Sequence, residues 1–282
     1  IRDDSVGGDT NNDGFSSGAR SDWNQIAIIS GAIVNLNHSV VRFGGVNGQS
    51  TNIFQDGGTL NVANSIIEFG PIGLRIRGGE TRIENSTMRN NQNGLEAIGP
   101  GSLILNNNIF TNNSAGAAYV SFNEGKSFVS SGNTASGNSK NGIVVYGSMS
   151  TNQVWSDQMP YIVANLTVPS GKTLTINAGT KIKFNLEGFM TVYGNLDVNG
   201  TADNKVYFTS IRDDSVGGDT NNDGVSSGAR LDWNLIYIGN SANVNLSHSV
   251  VRFGSRDGLS SNIFLDGGSL LISNSVISYG SH

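Results

Sequence analysis

The stretch that decides the fold is LNVANSII, residues 60–67. Variants of this stretch recur along the chain as VNLNHSVV at 34–41, TRIENSTM at 81–88 and LILNNNIF at 103–110. Apolar residues alternate with polar ones in short runs, which is the periodicity of β-strands, and no helical i, i+3, i+4 stripe is sustained. The pattern therefore predicts an all-β chain of short strands.

A polar corner residue recurs in each unit. The aligned positions are 38, 64, 85, 107 and, more weakly, 132, separated by 26, 21, 22 and 25 residues, and the units close on Gly or Asn at 44, 70, 91, 113 and 138. Asn tolerates left-handed backbone, and its amide can bond the equivalent Asn one coil away to form a ladder. Units of about 21 to 26 residues predict a right-handed parallel β-helix, a solenoid with coils about 4.8 Å apart. An ordinary loop role for Asn is the alternative.

A longer repeat contains these units. Residues 1–70 align with 211–280 without a gap, and about 48 of the 70 positions are identical. The expected organisation is an acidic loop at 1–22, β-helix coils at 23–154, opening coils of the next module at 155–210, a second acidic loop at 211–232 and further, truncated coils at 233–282. We expect the chain to be part of a longer tandem array of 210-residue modules.

Composition restricts the classes of function. The 282 residues carry 17 Lys and Arg against 22 Asp and Glu, a net charge of −5, and no Cys. Scattered, outnumbered basic residues argue against nucleic acid as a partner. The lack of Cys excludes disulfides and thiolate metal sites, and no apolar run approaches the roughly 18 residues of a membrane helix.

One acidic segment occurs twice and predicts a metal site. Its core, DTNNDG at 9–14 and again at 219–224, satisfies the first half of a calcium loop, in which oxygens at positions 1, 3 and 5 and a main-chain carbonyl at position 7 converge on a hard cation. Position 12 is Arg20 rather than Glu, so the remaining charge must come from a nearby Asp. Oxygen ligands favour Ca²⁺ over zinc or copper. A cation-free surface turn is the alternative.

The predicted ligands have the same types in both copies, except at the carbonyl position. In the first copy they are Asp9, Asn11, Asp13 and the carbonyl of Phe15, completed by Asp3, Asp4 or Asp22. In the second copy they are Asp219, Asn221, Asp223 and the carbonyl of Val225, completed by Asp213, Asp214 or Asp232.

One part of the chain resembles a known group, the opening coils of large prokaryotic surface and secreted proteins with right-handed parallel β-helix repeats. The resemblance lies in residues 161–184, 194–201 and 206–210, which are followed by an Asp-rich loop and then by Asp-Trp-Asn, a sequence found at 22–24 and 232–234. This resemblance implies an extracellular setting. It does not decide activity, because the same fold carries pectin-cleaving enzymes, adhesins and passive stalks.

We expect a structural protein: a calcium-stiffened stalk, adhesin or filament whose partners are further copies of the module, in a homopolymer or a lateral bundle. Two alternatives stay open. One is a carbohydrate-binding adhesin module; the other is a polysaccharide lyase or hydrolase, for which the densest group of charges is Glu80, Glu84, Arg75, Arg77 and Arg82. Outward-facing strand positions explain that group more simply, so we expect no enzyme and no catalytic residues.

Overall fold

The computed structural model describes residues 2–46, 50–256, 258–259 and 261–280. Outside these ranges lie residue 1 of the predicted 1–22 loop, residues 47–49 of the predicted 23–154 coils, and residues 257, 260, 281 and 282 of the predicted 233–282 coils. The described part contains β-strands, turns and bends but no helix, and every strand pair in it is parallel. The predicted all-β, parallel β-solenoid is confirmed.

The largest sheet runs the length of the solenoid. Its sixteen strands, from the described residues, are β1 (Ile26–Ile29), β2 (Ile33–Asn37), β4 (Thr51–Ala63), β6 (Ile72–Glu84), β8 (Asn93–Ala97), β9 (Gly101–Asn106), β11 (Gly116–Ser121), β12 (Lys126–Ser131), β14 (Ile143–Ser148), β16 (Tyr161–Val168), β18 (Lys181–Val192), β20 (Val206–Ser210), β21 (Ile236–Ile238), β23 (Ser249–Arg252), β24 (Ile263–Leu265) and β26 (Val276–Ser278).

Two five-stranded sheets complete the coils. The first contains β3 (Val40–Arg42), β5 (Ile66–Glu68), β7 (Thr87–Arg89), β10 (Ile109–Thr111) and β13 (Thr134–Ser136). The second contains β15 (Gln153–Trp155), β17 (Thr173–Asn177), β19 (Asn195–Asn199), β22 (Asn243–Ser247) and β25 (Ser269–Ser273). Strand β3 and its counterpart β23 each follow a corner His with positive φ, which agrees with the 210-residue repeat.

The core is a stack of aligned apolar side chains inside the coils. In one row, residues from seven successive strands lie in register and are fully buried: Ile53, Leu74, Leu95, Ala118, Ile143, Tyr161 and Ile182. Each inward position covers the same position of the next coil, so the hydrophobic effect acts continuously along the solenoid axis.

Each short strand of the first five-stranded sheet lies between two corners of left-handed backbone. The first corner has positive φ at His38, Asn64, Asn85, Asn107 and Gly132; the second has it at Phe43, Phe69, Asn90, Asn112 and Gly137. The predicted left-handed corner is therefore present. Gly132 shows why size matters, because a Cβ there would lie 2.2 Å from the Asn107 amide oxygen.

The predicted amide ladder lies at different positions from those expected. It follows the corners rather than occupying them: Asn91, Asn113 and Asn138 are fully buried. Asn91 Nδ2 donates to Asn113 Oδ1 at 3.2 Å, and Asn113 Nδ2 donates to Asn138 Oδ1 at 2.8 Å. A second ladder links Asn108 and Asn133 at 3.0 Å. The corner residue itself turns its side chain outward, whereas the next residue points into the coil, where buried backbone groups require partners.

Candidate metal centres

Each acidic loop folds around its first Asp. In loop one, residues 2–25, the carboxylate of Asp9 accepts the N–H groups of Asp13 at 3.1 Å and Gly14 at 3.0 Å. The turn requires left-handed backbone, which Asn12 and Gly14 supply with φ of 56° and 87°. Loop two, residues 211–235, repeats this geometry: Asp219 accepts Asp223 N–H at 3.2 Å and Gly224 N–H at 3.0 Å.

Three carboxylates converge in each loop. One oxygen from each of Asp4, Asp9 and Asp13 lies within 4.8 Å of the others, and Asp214, Asp219 and Asp223 form the same group in the second copy. Asn11 Nδ2 donates to Asp13 Oδ2 at 2.7 Å, and Asn221 Nδ2 donates to Asp223 at 2.6 Å, so the amide of the third loop position is also at the cluster. Like charges this close repel one another strongly unless a cation neutralises them.

Each cluster contains at least one buried oxygen that lacks a hydrogen-bond donor. Asp4 is only 9% exposed; its Oδ2 accepts the Ser16 N–H at 2.6 Å, but its Oδ1 has no hydrogen-bond partner. In loop two, Asp214 Oδ1 and Asn221 Oδ1 are likewise buried and unpartnered. Burying a carboxylate oxygen without a partner is costly, and a bound cation is one way to satisfy it. The donor set, composed of carboxylate and amide oxygens, fits a hard cation such as Ca²⁺.

The structure places the other predicted acids at the base of each loop. Asp3 accepts the Ser5 hydroxyl at 2.6 Å and pairs with Arg42; the hydrogen bond from Ser5, followed by the Arg42 charge, holds the pKa of Asp3 below its usual value. Asp22 accepts the Ala19 N–H at 2.8 Å and lies 3.7 Å from Arg2. Of the three candidates to complete the first site, the structure therefore brings only Asp4 to the cluster.

Loop two has the same division of roles. Burial raises the pKa of Asp213, but hydrogen bonds from Thr209, Ser215 and Arg252 outweigh burial and hold the pKa below its usual value. Asp232 accepts the Ala229 N–H at 2.9 Å and faces Arg212 at 3.4 Å. The side chains of Phe15 and Val225, predicted to contribute only carbonyls, are solvent-exposed.

Sequence reasoning missed the two arginines that hold the loop bases. Arg42 and Arg252 pair with Asp3 and Asp213, and each guanidinium lies 5.2 Å from the centroid of the next residue's Phe ring. The available signal was VVRFG, which occurs at 40–44 and again at 250–254. These arginines tie the start of each loop to strands β3 and β23, so the loop is fixed to the solenoid at its base.

Three of the charges considered for an enzyme, Arg75, Arg82 and Glu84, form ion pairs on the outside of the coils. Arg75 Nη2 lies 2.9 Å from Glu96, and Arg82 Nη2 lies 2.6 Å from Glu84. Glu80 accepts the Ser102 hydroxyl. The first pair joins neighbouring strands at opposite positions, as expected for outward-facing cross-strand partners.

Comparison with known proteins agrees with this architecture. The sequence model of the family described as right handed beta helix region matches residues 15–158, just over half of the chain. The chain belongs to this family. The match identifies the coils as right-handed. No curated protein and no solved structure matches the chain. Among the described residues there is no helix long and apolar enough to cross a membrane.

Proposed function

We propose that this β-helix is a structural protein of the cell surface or extracellular space, a calcium-stiffened stalk, adhesin or filament in which each acidic loop binds one Ca²⁺. The observation that carries the proposal is the buried, unpartnered oxygen of Asp4 and of Asp214 in a carboxylate cluster that occurs twice. The same tightly folded turn in two copies supports a shared role for both loops.

Calcium suits these loops better than a smaller ion. Ca²⁺ accepts six to eight oxygen ligands in flexible geometry, whereas Mg²⁺ demands near-ideal octahedral geometry and retains waters. Each loop offers three carboxylates and an amide oxygen, and its exposed surface leaves room for water ligands. An affinity of about 0.1 mM, typical of extracellular modules, would keep each site filled where calcium is about 1 mM.

The mechanical argument follows from where the loop is fixed. Arg252 holds Asp213 at 2.6 Å at one end of loop two, and the main-chain N–H of Asp232 donates to the carbonyl of Phe253 at 3.0 Å near the other end. A cation bound between Asp214, Asp219 and Asp223 would tie the middle of the loop to these fixed ends. With calcium at about ten times the dissociation constant, each site would stabilise the folded chain by about 1.4 kcal/mol.

The test is thermal unfolding of the full chain in 1 mM calcium and in EGTA. We expect a higher melting temperature with calcium, and loss of most of this difference in a chain carrying Asp9→Asn, Asp13→Asn, Asp219→Asn and Asp223→Asn. A control removes two acidic charges at exposed positions with Glu124→Gln and Asp203→Asn, and it should retain the calcium response. Equal melting curves for the unmodified chain with and without calcium would refute the proposed calcium role.

A further inference from the structure

Loop two folds back over the outside of earlier coils. Ile211, its first residue, is 5% exposed and packs with Val144 of β14 and Ile162 of β16 in a small apolar cluster separate from the core. The loop therefore covers strands that precede it in the chain by about 50 to 70 residues.

Polar contacts fix the part of the loop that carries the acidic cluster. Asn141 Nδ2 donates to the carbonyl of Asp219 at 3.0 Å, and the main-chain N–H of Asn141 donates to the carbonyl of Thr220 at 2.7 Å. Lys183 Nζ donates to the carbonyl of Gly218 at 2.8 Å. As a result Thr220 is fully buried, whereas Thr10, the same residue in loop one, is exposed.

Asn141 is also the end of the buried amide ladder. Asn138 donates to Asn141 Oδ1 from both its main-chain N–H, at 2.9 Å, and its side-chain Nδ2, at 3.0 Å. The oxygen of Asn141 is thus held by the solenoid while its nitrogen holds the loop. Asn141 binds the main-chain carbonyl of Asp219, and the side-chain carboxylate of the same Asp219 belongs to the acidic cluster.

We propose that Asn141 is a positioning residue for the second cation site. It links loop two to the amide ladder, which restricts the motion of the loop and thereby raises its affinity for Ca²⁺. The proposal rests on the proposed calcium role of the loops. A loop that is already fixed loses less conformational entropy when it closes around an ion, so docking and ion binding are coupled and each strengthens the other. Lys183 also contacts the loop, but it has the same sign of charge as the ion, so replacing it would change both the docking of the loop and the charge near the site. Asn141 is neutral, so its replacement reports the coupling alone.

The coupling is tested by measuring calcium affinity in two backgrounds by titration calorimetry with CaCl₂. Asp9→Asn with Asp13→Asn leaves loop two able to bind, and Asp219→Asn with Asp223→Asn leaves loop one. Adding Asn141→Ala should weaken calcium binding about three- to tenfold in the first background, as expected for one lost hydrogen bond, and leave it unchanged in the second. A purely structural role of Asn141 would lower the melting temperature and change neither affinity.

Hydrogen exchange tests the same coupling without altering Asn141. Its N–H reports docking directly because it donates to Thr220, so calcium should slow its exchange in the unmodified chain but not in the Asp219→Asn, Asp223→Asn chain. If calcium binds but Asn141 exchange does not slow, or if Asn141→Ala affects both loops equally, the positioning role is refuted and the calcium sites stand. If no calcium binds to either loop, the proposed function itself fails.

Discussion

Replacing Asn113 with Ala tests how the solenoid satisfies its buried backbone. Asn113 is fully buried; its Nδ2 donates to the carbonyl of Met88 at 2.9 Å, and its Oδ1 accepts the N–H of Asn91 at 3.1 Å. Without the side chain, the Asn91 N–H loses its acceptor and the Met88 carbonyl loses a donor, inside a coil that water cannot enter. Each of these two buried groups left without a partner costs about 1–3 kcal/mol, so we expect a loss of about 2–6 kcal/mol.

The assay is urea unfolding of the full chain in EGTA, followed by far-ultraviolet circular dichroism, with the slope of the transition compared between variants. Asn199→Ala is the matched control because Asn199 is an exposed Asn on strand β19, and its loss should stay within about 0.5 kcal/mol. If Asn113→Ala costs less than about 1 kcal/mol and no more than the control, the ladder does not stabilise the coils as described.

Two further predictions use the same unfolding assay. Trp233→Ala should lower the free energy of unfolding by about 3–5 kcal/mol, because Trp233 is fully buried and stacks on Phe184 with ring centroids 4.0 Å apart. Trp23→Ala should cost less than half as much, because Trp23 is 36% exposed. Equal losses for the two variants would contradict the stacking argument. Burial lowers the pKa of Lys126 from 10.5 to about 8, so the unfolded chain binds more protons between these values and stability should rise with pH there. The stability of the unmodified chain relative to Lys126→Met should therefore increase by roughly 2 kcal/mol between pH 8 and pH 10, and a constant difference would show that Lys126 titrates normally.

Much of the fold was predictable because its cause is periodic. The spacing of the corner at Asn64 and Asn85 fixed the length of a coil, and the alternation around it fixed which strand residues face inward. The position of the amide ladder was not predictable in the same way. Spacing cannot distinguish a corner residue from its neighbour, and only the left-handed turn at Asn90 and Asn112 directs the next side chain into the coil.

The candidate metal sites show a similar limit. The DTNNDG motif identified Asp9 and Asp13, which lie together, but adjacent Asp3 and Asp4 are equivalent in the sequence. The structure separates them because Arg42, nearly 40 residues away, takes Asp3 and leaves Asp4 at the cluster. The contact of Asn141 with Asp219 spans 78 residues, and no local pattern encodes it.

The most direct test of the account is a crystal structure of the full chain grown with calcium chloride, with the anomalous signal used to locate calcium. We predict one ion in each loop, about 2.3–2.6 Å from oxygens of Asp4, Asp9 and Asp13 in loop one and of Asp214, Asp219 and Asp223 in loop two. Water alone between these carboxylates at millimolar calcium, with the loops otherwise folded as described, would contradict the claim that the acidic loops are calcium sites.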